Sequence, residues 1–313
     1  MPDEATYRRA EADLWSSVGV APTESWLPMA AGRSGAQVRV RAMTVGDGPA
    51  VVFLHGVNTA GAVWAPLVAA LGDGFRCIVV DRPGCGLSEP VPGRVKDADA
   101  FRVRAAALVA ELLDAAGLDR AAVVSTSLGG FYALHGAAAH PERIAGVAEL
   151  GWPVGAPNGH LPLVMRIGGF RALGKVMARM PAPRAAVKPM LGRIGLRQAL
   201  DADRVSPELV TWFHALLRHT ATMRNELDNA PPIIDPIRGM NDSILFGDDV
   251  LGRIRVPVGF LWGDGDPFGD PAIAEAFVDR VPGATLTMVP GAGHAPWIDD
   301  PAGAAAFVRA RCG

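Results

Sequence analysis

Apolar residues in this chain gather into short runs: Ala50 to Leu54, Cys77 to Val80, Ala121 to Val124, Ile144 to Leu150, Val256 to Leu261 and Thr285 to Val289. A continuous run of that length is the pattern of a strand covered on both faces. Helical stretches separate most of the runs, and this alternation predicts an α/β protein with a mostly parallel sheet flanked by helices. Ahead of them, Tyr7 to Val18 sets Ala10, Leu14 and Val18 on one helical face, and Ala36 to Val45 alternates like a strand. An N-terminal helix and an edge hairpin are expected there. The turn Gly46-Asp47-Gly48-Pro49 then leads into the sheet interior. In open sheets of this type ligands bind beyond the carboxyl ends of the strands.

From about Gly155 to Met240 the alternation breaks into a Pro- and Gly-rich stretch of helical flavour, which holds Met165, Met177, Met180, Met190, Met223 and Met240. This divides the chain into residues 1–35 as N-terminal helix and extension, 36–154 with 241–313 as core, and 155–240 as an inserted helical cap. Methionine fills irregular space and repacks easily. Two readings of the cap methionines therefore stand side by side: an adaptable apolar pocket wall, or a helical core without ligand contact.

Half of the 313 residues are hydrophobic, enough for a large core, and the formal charge is -2. So small a charge, with no block of like charges, gives no field to gather nucleic acid, and an uncharged or modestly polar small molecule is the expected partner. Met1 to Arg9 mixes charges without the apolar core of a secretion signal. Ala121 to His140 is uncharged but carries Ser125, Thr126, Ser127, Gly129, Gly130 and His135, so it reads as strand, turn and helix and not as a membrane span. Cys77, Cys85 and Cys312 show neither metal-ligand spacing nor a disulfide framework. A cytoplasmic protein without metal or cofactor is expected.

In Val123-Val124-Ser125-Thr126-Ser127-Leu128-Gly129-Gly130 an apolar strand breaks into small residues before an Ala-rich helix. A strand that turns so sharply holds its apex residue under strain, and the residues two before and two after must be small. Ser125 and Gly129 meet that need around Ser127, although the usual residue at the earlier place is Gly. A serine nucleophile needs a base, an orienter for the base and donors for an oxyanion. Leu128 N–H, at the start of the helix, is one expected donor. Val57 N–H, in His55-Gly56-Val57-Asn58 after the Ala50 to Leu54 strand, is the other.

His294, in the small-residue loop after Thr285 to Val289, is the expected base, since none of His135, His140, His160, His214 and His219 follows a core strand. Asp266, after the Val256 to Leu261 strand, is the expected orienter, with Asp264 as its rival. His55 is read as tying its loop together. Asn58 either braces that loop or adds a side-chain donor. Trp152, Trp212 and Trp297 are candidates to line the substrate pocket, and core packing explains each almost as well. Arg and Lys outnumber acids in the cap, with Arg166, Arg171, Lys175 and Arg179 among them. They suit either a carboxylated substrate or solvated cap faces.

With these residues in place, the chain from about Ala36 to its end resembles the α/β-hydrolase superfamily. Asp81-Arg82-Pro83-Gly84-Cys85-Gly86-Leu87-Ser88 is similar to the family's Gly-rich turn after the fourth strand, and Gly293-His294 followed by Asp300-Pro301 is similar to its histidine loop. The resemblance implies the α/β-hydrolase fold with a helical cap, a Ser127-Asp266-His294 triad and a Val57 and Leu128 oxyanion hole. It sets aside epoxide hydrolases and haloalkane dehalogenases, whose nucleophile is Asp. The expected activity is cleavage of an ester, lactone or thioester bond of a small, largely apolar substrate through an acyl-enzyme. The alternatives are carbon-carbon bond hydrolysis, perhydrolase or lyase chemistry at the same triad, or a non-catalytic ligand-binding protein of this fold.

Overall fold

A computed structural model describes residues 3–30, 37–158, 161, 163–167, 170, 183–235, 237 and 239–313. Ala36, His160, Met177, Met180, Arg171, Lys175 and Arg179, all named above, lie outside the described residues. Helix α1 (Glu4–Ser17) begins at Asp3, whose side chain accepts the N–H of Thr6, an N-cap that satisfies one free donor of the first turn. Strands β1 (Thr23–Ala30) and β2 (Gln37–Val45) form the expected edge hairpin. Next come β3 (Ala50–Leu54), α2 (Ala65–Leu71), β4 (Arg76–Val80), α3 (Ala98–Ala115), β5 (Ala121–Ser125), α4 (Leu128–Ala139) and β6 (Ile144–Leu150). A two-residue pair, β7 (Ile234–Asp235) and β8 (Gly239–Met240), precedes the last sheet strands, β9 (Val258–Gly263) and β10 (Thr285–Val289).

Among the described residues the main sheet has eight strands in the order β1-β2-β4-β3-β5-β6-β9-β10. Only the pairings of β1 with β2 and of β2 with β4 are antiparallel; the other pairings are parallel, as α/β alternation requires. The interior strands show why their sequences are apolar without a break. Val52 and Leu54 of β3 point into a core layer with α3 and α4, whereas Val51 and Phe53 point into the opposite layer with α1 and α2. Successive side chains of a strand leave by opposite faces, and both faces here are covered. Beneath α1 the buried guanidinium of Arg41 on β2 binds Glu11 and Asp81. The carboxyl ends of β3, β5, β6, β9 and β10 run into the loops that hold the residues considered next. Among the described residues no helix is long and apolar enough to cross a membrane.

Candidate active site

Ser127 sits at the tip of the β5-to-α4 turn with φ 55° and ψ -118°, a backbone conformation uncommon for a residue with a side chain. Close packing enforces the turn. A Cβ on Gly129 would lie 2.0 Å from the Leu54 carbonyl oxygen, so no larger residue fits there. A Cβ on Gly56 would lie 3.4 Å from Ser127 Oγ, which places the hydroxyl against the loop after β3. Leu128 opens α4, and its N–H and that of Val57 find no acceptor among the described residues. Two free N–H groups beside a buried hydroxyl that lines a cavity can hold a developing oxyanion.

Asp266, after β9, is buried, and its carboxylate is held from three sides. The Trp152 N–H donates to Oδ2 at 3.0 Å, the Phe268 N–H donates to Oδ1 at 3.0 Å, and His294 Nδ1 lies 2.8 Å from Oδ2. With Nδ1 donating to the carboxylate, Nε2 is left to take a proton. Asp264 goes elsewhere: its carboxylate accepts the Gly291 N–H at 2.8 Å and braces the loop after β10. Ser127 and His294 line one cavity of about 220 Å³. No hydrogen bond joins Ser127 Oγ to the imidazole; nucleophile and base of such pairs often stand farther apart until a substrate closes the arrangement.

Several residues that shape this site were not assigned a part in it from sequence. Arg82, in the turn after β4, is buried and donates from Nε to the His55 carbonyl and from Nη2 to the Gly56 carbonyl, each at 2.8 Å. His55 Nε2 accepts the Arg82 N–H at 2.9 Å, which leaves the proton on Nδ1, 2.9 Å from the same Gly56 oxygen. Burial, with the Arg82 charge nearby, holds this imidazole well below its usual range and keeps it neutral. Because a trans peptide points its C=O and its N–H to opposite sides, anchoring the Gly56 oxygen turns the Val57 N–H away from Arg82. Gly195 is another such residue. Its carbonyl accepts the His294 N–H at 2.8 Å, its φ is 99°, and a Cβ there would meet the His294 Cβ at 2.3 Å. Only glycine allows the helical segment before Leu196 to seat on the histidine loop.

Glu149 lies beneath the elbow, fully buried on β6, opposite Ser125 on β5. The Ser125 hydroxyl donates to its Oε2, and Oε1 has no partner among the described residues. Burial pushes this carboxyl well above the usual carboxylate range, against the opposing pull of Ser125 and of the Ser127 backbone N–H. Ser125 in place of glycine thus has a partner, which explains how the turn accommodates a side chain there.

Trp152 and Trp297 line the cavity, and their indole N–H groups donate to Pro157 and Val63 carbonyls at 2.8 and 3.1 Å. Asn58 also lines it, with φ 53° and a buried Oδ1 that has no hydrogen-bond partner among the described residues. Trp212 is a correction: it is fully buried beside Tyr7 of α1, and its neighbour Phe213 reaches the cavity instead. Both faces of the helix Pro207–His219 are covered, one by α1 and one by the cavity wall, so an aromatic on it has two buried destinations. Met165, Met190, Met223 and Met240 all line the cavity, the pocket-wall arrangement of the two considered for the cap methionines. No described Arg or Lys lines it.

A parallel sheet whose strand ends carry a serine elbow, an Asp-His pair and free N–H donors around one cavity defines the α/β-hydrolase architecture. The chain belongs to the alpha/beta hydrolase family, whose sequence profile matches residues 51–307, and it is an enzyme of that family. It is 30% identical over 267 residues to a 2-hydroxy-6-oxo-6-phenylhexa-2,4-dienoate hydrolase of Burkholderia cepacia, covering 83% of this chain and 86% of the relative. It is also 30% identical over 273 residues to the polyketide synthase ThaQ of Burkholderia thailandensis, covering 83% of this chain but 12% of that much longer protein. Its fold is similar to that of the naproxen esterase of Bacillus subtilis, with a TM-score of 0.75 at 21% identity over 99% of this chain and 98% of the other.

Proposed function

We propose that the protein is a serine hydrolase that cleaves an ester-type bond of a small, neutral, largely apolar substrate through an acyl-enzyme. Ser127 Oγ attacks the carbonyl carbon while His294 Nε2 takes its proton, and Asp266 stabilises the imidazolium that forms. The Val57 and Leu128 N–H groups receive the oxyanion of the tetrahedral intermediate. Collapse breaks the bond to the alcohol oxygen, which leaves with the proton from His294. A water molecule then repeats the attack on the acyl group, with His294 as base again, and frees Ser127. Residues 155–240 act as a cap, of which Met165, Met190, Met223 and Met240 shape the acyl or alcohol site.

The observation that carries this reading is the character of the cavity wall. Beyond the polar groups around Ser127, its described residues are Met, Leu, Ile, Val, Ala, Phe and Trp side chains, with Glu226 as the one acid and no basic side chain except His294. The Burkholderia cepacia relative is named for a dienoate, a carboxylate that the described part of the wall, which holds no Arg or Lys, would bury unpaired. Such burial costs several kcal/mol, so a neutral ester is favoured over carbon-carbon cleavage of an acidic substrate. The test is a set of nitrophenyl esters of rising acyl length beside esters of the same length ending in a carboxylate. Neutral esters are expected to exceed the carboxylated ones in kcat/KM by about a hundredfold or more, the equivalent of roughly 3 kcal/mol. Faster turnover of the carboxylated esters overturns the reading.

A further inference from the structure

The helix Thr222–Asn229 borders the cavity through Met223, Glu226 and Leu227, with Ala230 just beyond its end. That spacing of three, four and seven residues is one helical face. An acid in the middle of an apolar face costs desolvation, and two donors offset it. Arg82 Nη2 and Cys85 Sγ each approach Glu226 at 3.0 Å, and both bind the same oxygen, Oε1. No described residue donates to Oε2, although the side chain is only 13% exposed. A carboxylate that served only to anchor Arg82 would be expected to meet the guanidinium with both oxygens, the stronger arrangement. Here the guanidinium is shared with the His55 and Gly56 carbonyls, so the second carboxylate oxygen keeps no described donor, in a side chain that lines both the catalytic cavity and the neighbouring cleft of Arg82, Gly84 and Asn225.

We infer that Glu226 Oε2 is the acceptor for a hydroxyl group of the substrate, carried on its apolar body apart from the scissile ester. Arg82 and Glu226 form a buried ion pair, so a full cation would enter this apolar cavity without a net counter-charge, whereas a neutral O–H donor matches a paired carboxylate oxygen. The inference rests on the ester-hydrolase reading of the same site and narrows its substrates to hydroxylated apolar esters.

The experiment compares kcat/KM for nitrophenyl esters of one acyl length, unsubstituted or hydroxylated at successive chain positions, in the wild-type enzyme and in Glu226→Gln. The wild-type enzyme is expected to favour the hydroxylated ester at one position by about tenfold or more, the effect of a hydrogen bond to a charged acceptor. Glu226→Gln, which keeps an acceptor for Arg82, is expected to bring that ratio towards one. The wild-type position scan stands without the variant, and Glu226→Asp, with a shorter reach, serves as a second variant that must also lower the ratio. Turnover of the plain ester with no hydroxyl preference at any position overturns this inference alone. A preference that survives in both variants overturns it too. Failure of the wild-type enzyme to turn over any ester removes the ester reading and this one together.

Discussion

Replacing Arg82 by Gln separates two roles that the structure gives one side chain. The substitution removes a donor from the Gly56 carbonyl and breaks a buried ion pair with Glu226. Losing an oxyanion donor outright costs roughly 10²–10³ in kcat. The Gly56 oxygen still faces His55 Nδ1 at 2.9 Å and Thr59 Oγ1 at 3.4 Å, so the Val57 N–H is displaced and not lost. The expected loss in kcat is therefore about tenfold to thirtyfold, near 1.4–2 kcal/mol, with little change in KM. Breaking the pair on one side destabilises the fold by about 3–5 kcal/mol at most, since it strands a buried carboxylate. Arg82→Gln with Glu226→Gln removes the stranded charge, and much of the stability should return while kcat for a short plain ester stays low. The assay is nitrophenyl acetate kinetics beside urea unfolding of the wild-type enzyme, the single variant and the double variant. Recovery of kcat in step with stability would refute the reasoning, because Arg82 would then be a strut without influence on the loop after β3.

Two further outcomes follow from the elbow. Gly129→Ala sets a Cβ 2.0 Å from the Leu54 carbonyl oxygen, a backbone atom that cannot swing aside, and should lower unfolding free energy by about 3 kcal/mol or more, read by urea denaturation; an alanine variant of wild-type stability contradicts the packing described. Glu149 has a raised folded pKa, so it stays protonated in the folded chain at pH values where the unfolded chain has released its proton, and its contribution to stability falls as pH rises above about 4.5. Glu149→Gln should therefore gain stability relative to the wild-type enzyme between pH 5 and pH 8, and a difference that does not change with pH would show that the carboxyl is ionised in the fold.

The sheet was legible because its strands are largely apolar runs: β3, β6 and β10 have the bounds that those runs predict. Ser127, Asp266 and His294 each follow such a run; Ser127 and His294 line one cavity, and Asp266 reaches His294 Nδ1 from behind it. The Arg82 clamp was not legible, since it depends on β3 and β4 being neighbours, and no local pattern in the turn after β4 encodes which carbonyl its guanidinium reaches. Glu149 did leave a signal: a lone acid inside the run Ile144 to Leu150 must be buried with a partner, and Ser125 is the small polar residue across from it. Trp212 could not be separated from Phe213, because adjacent positions on a helix buried on two sides point to different cores. The departure at Ser125 and the acid in the strand below it are two halves of one contact, each puzzling when read alone.

The most direct test of the account is intact mass after incubation with a fluorophosphonate, on the wild-type enzyme and on Ser127→Ala. The account predicts one equivalent of phosphonate on the wild-type chain and none on the alanine variant, with both proteins folded by circular dichroism. A folded wild-type enzyme that takes no label, or a label that persists in Ser127→Ala, would show that Ser127 is not an activated nucleophile.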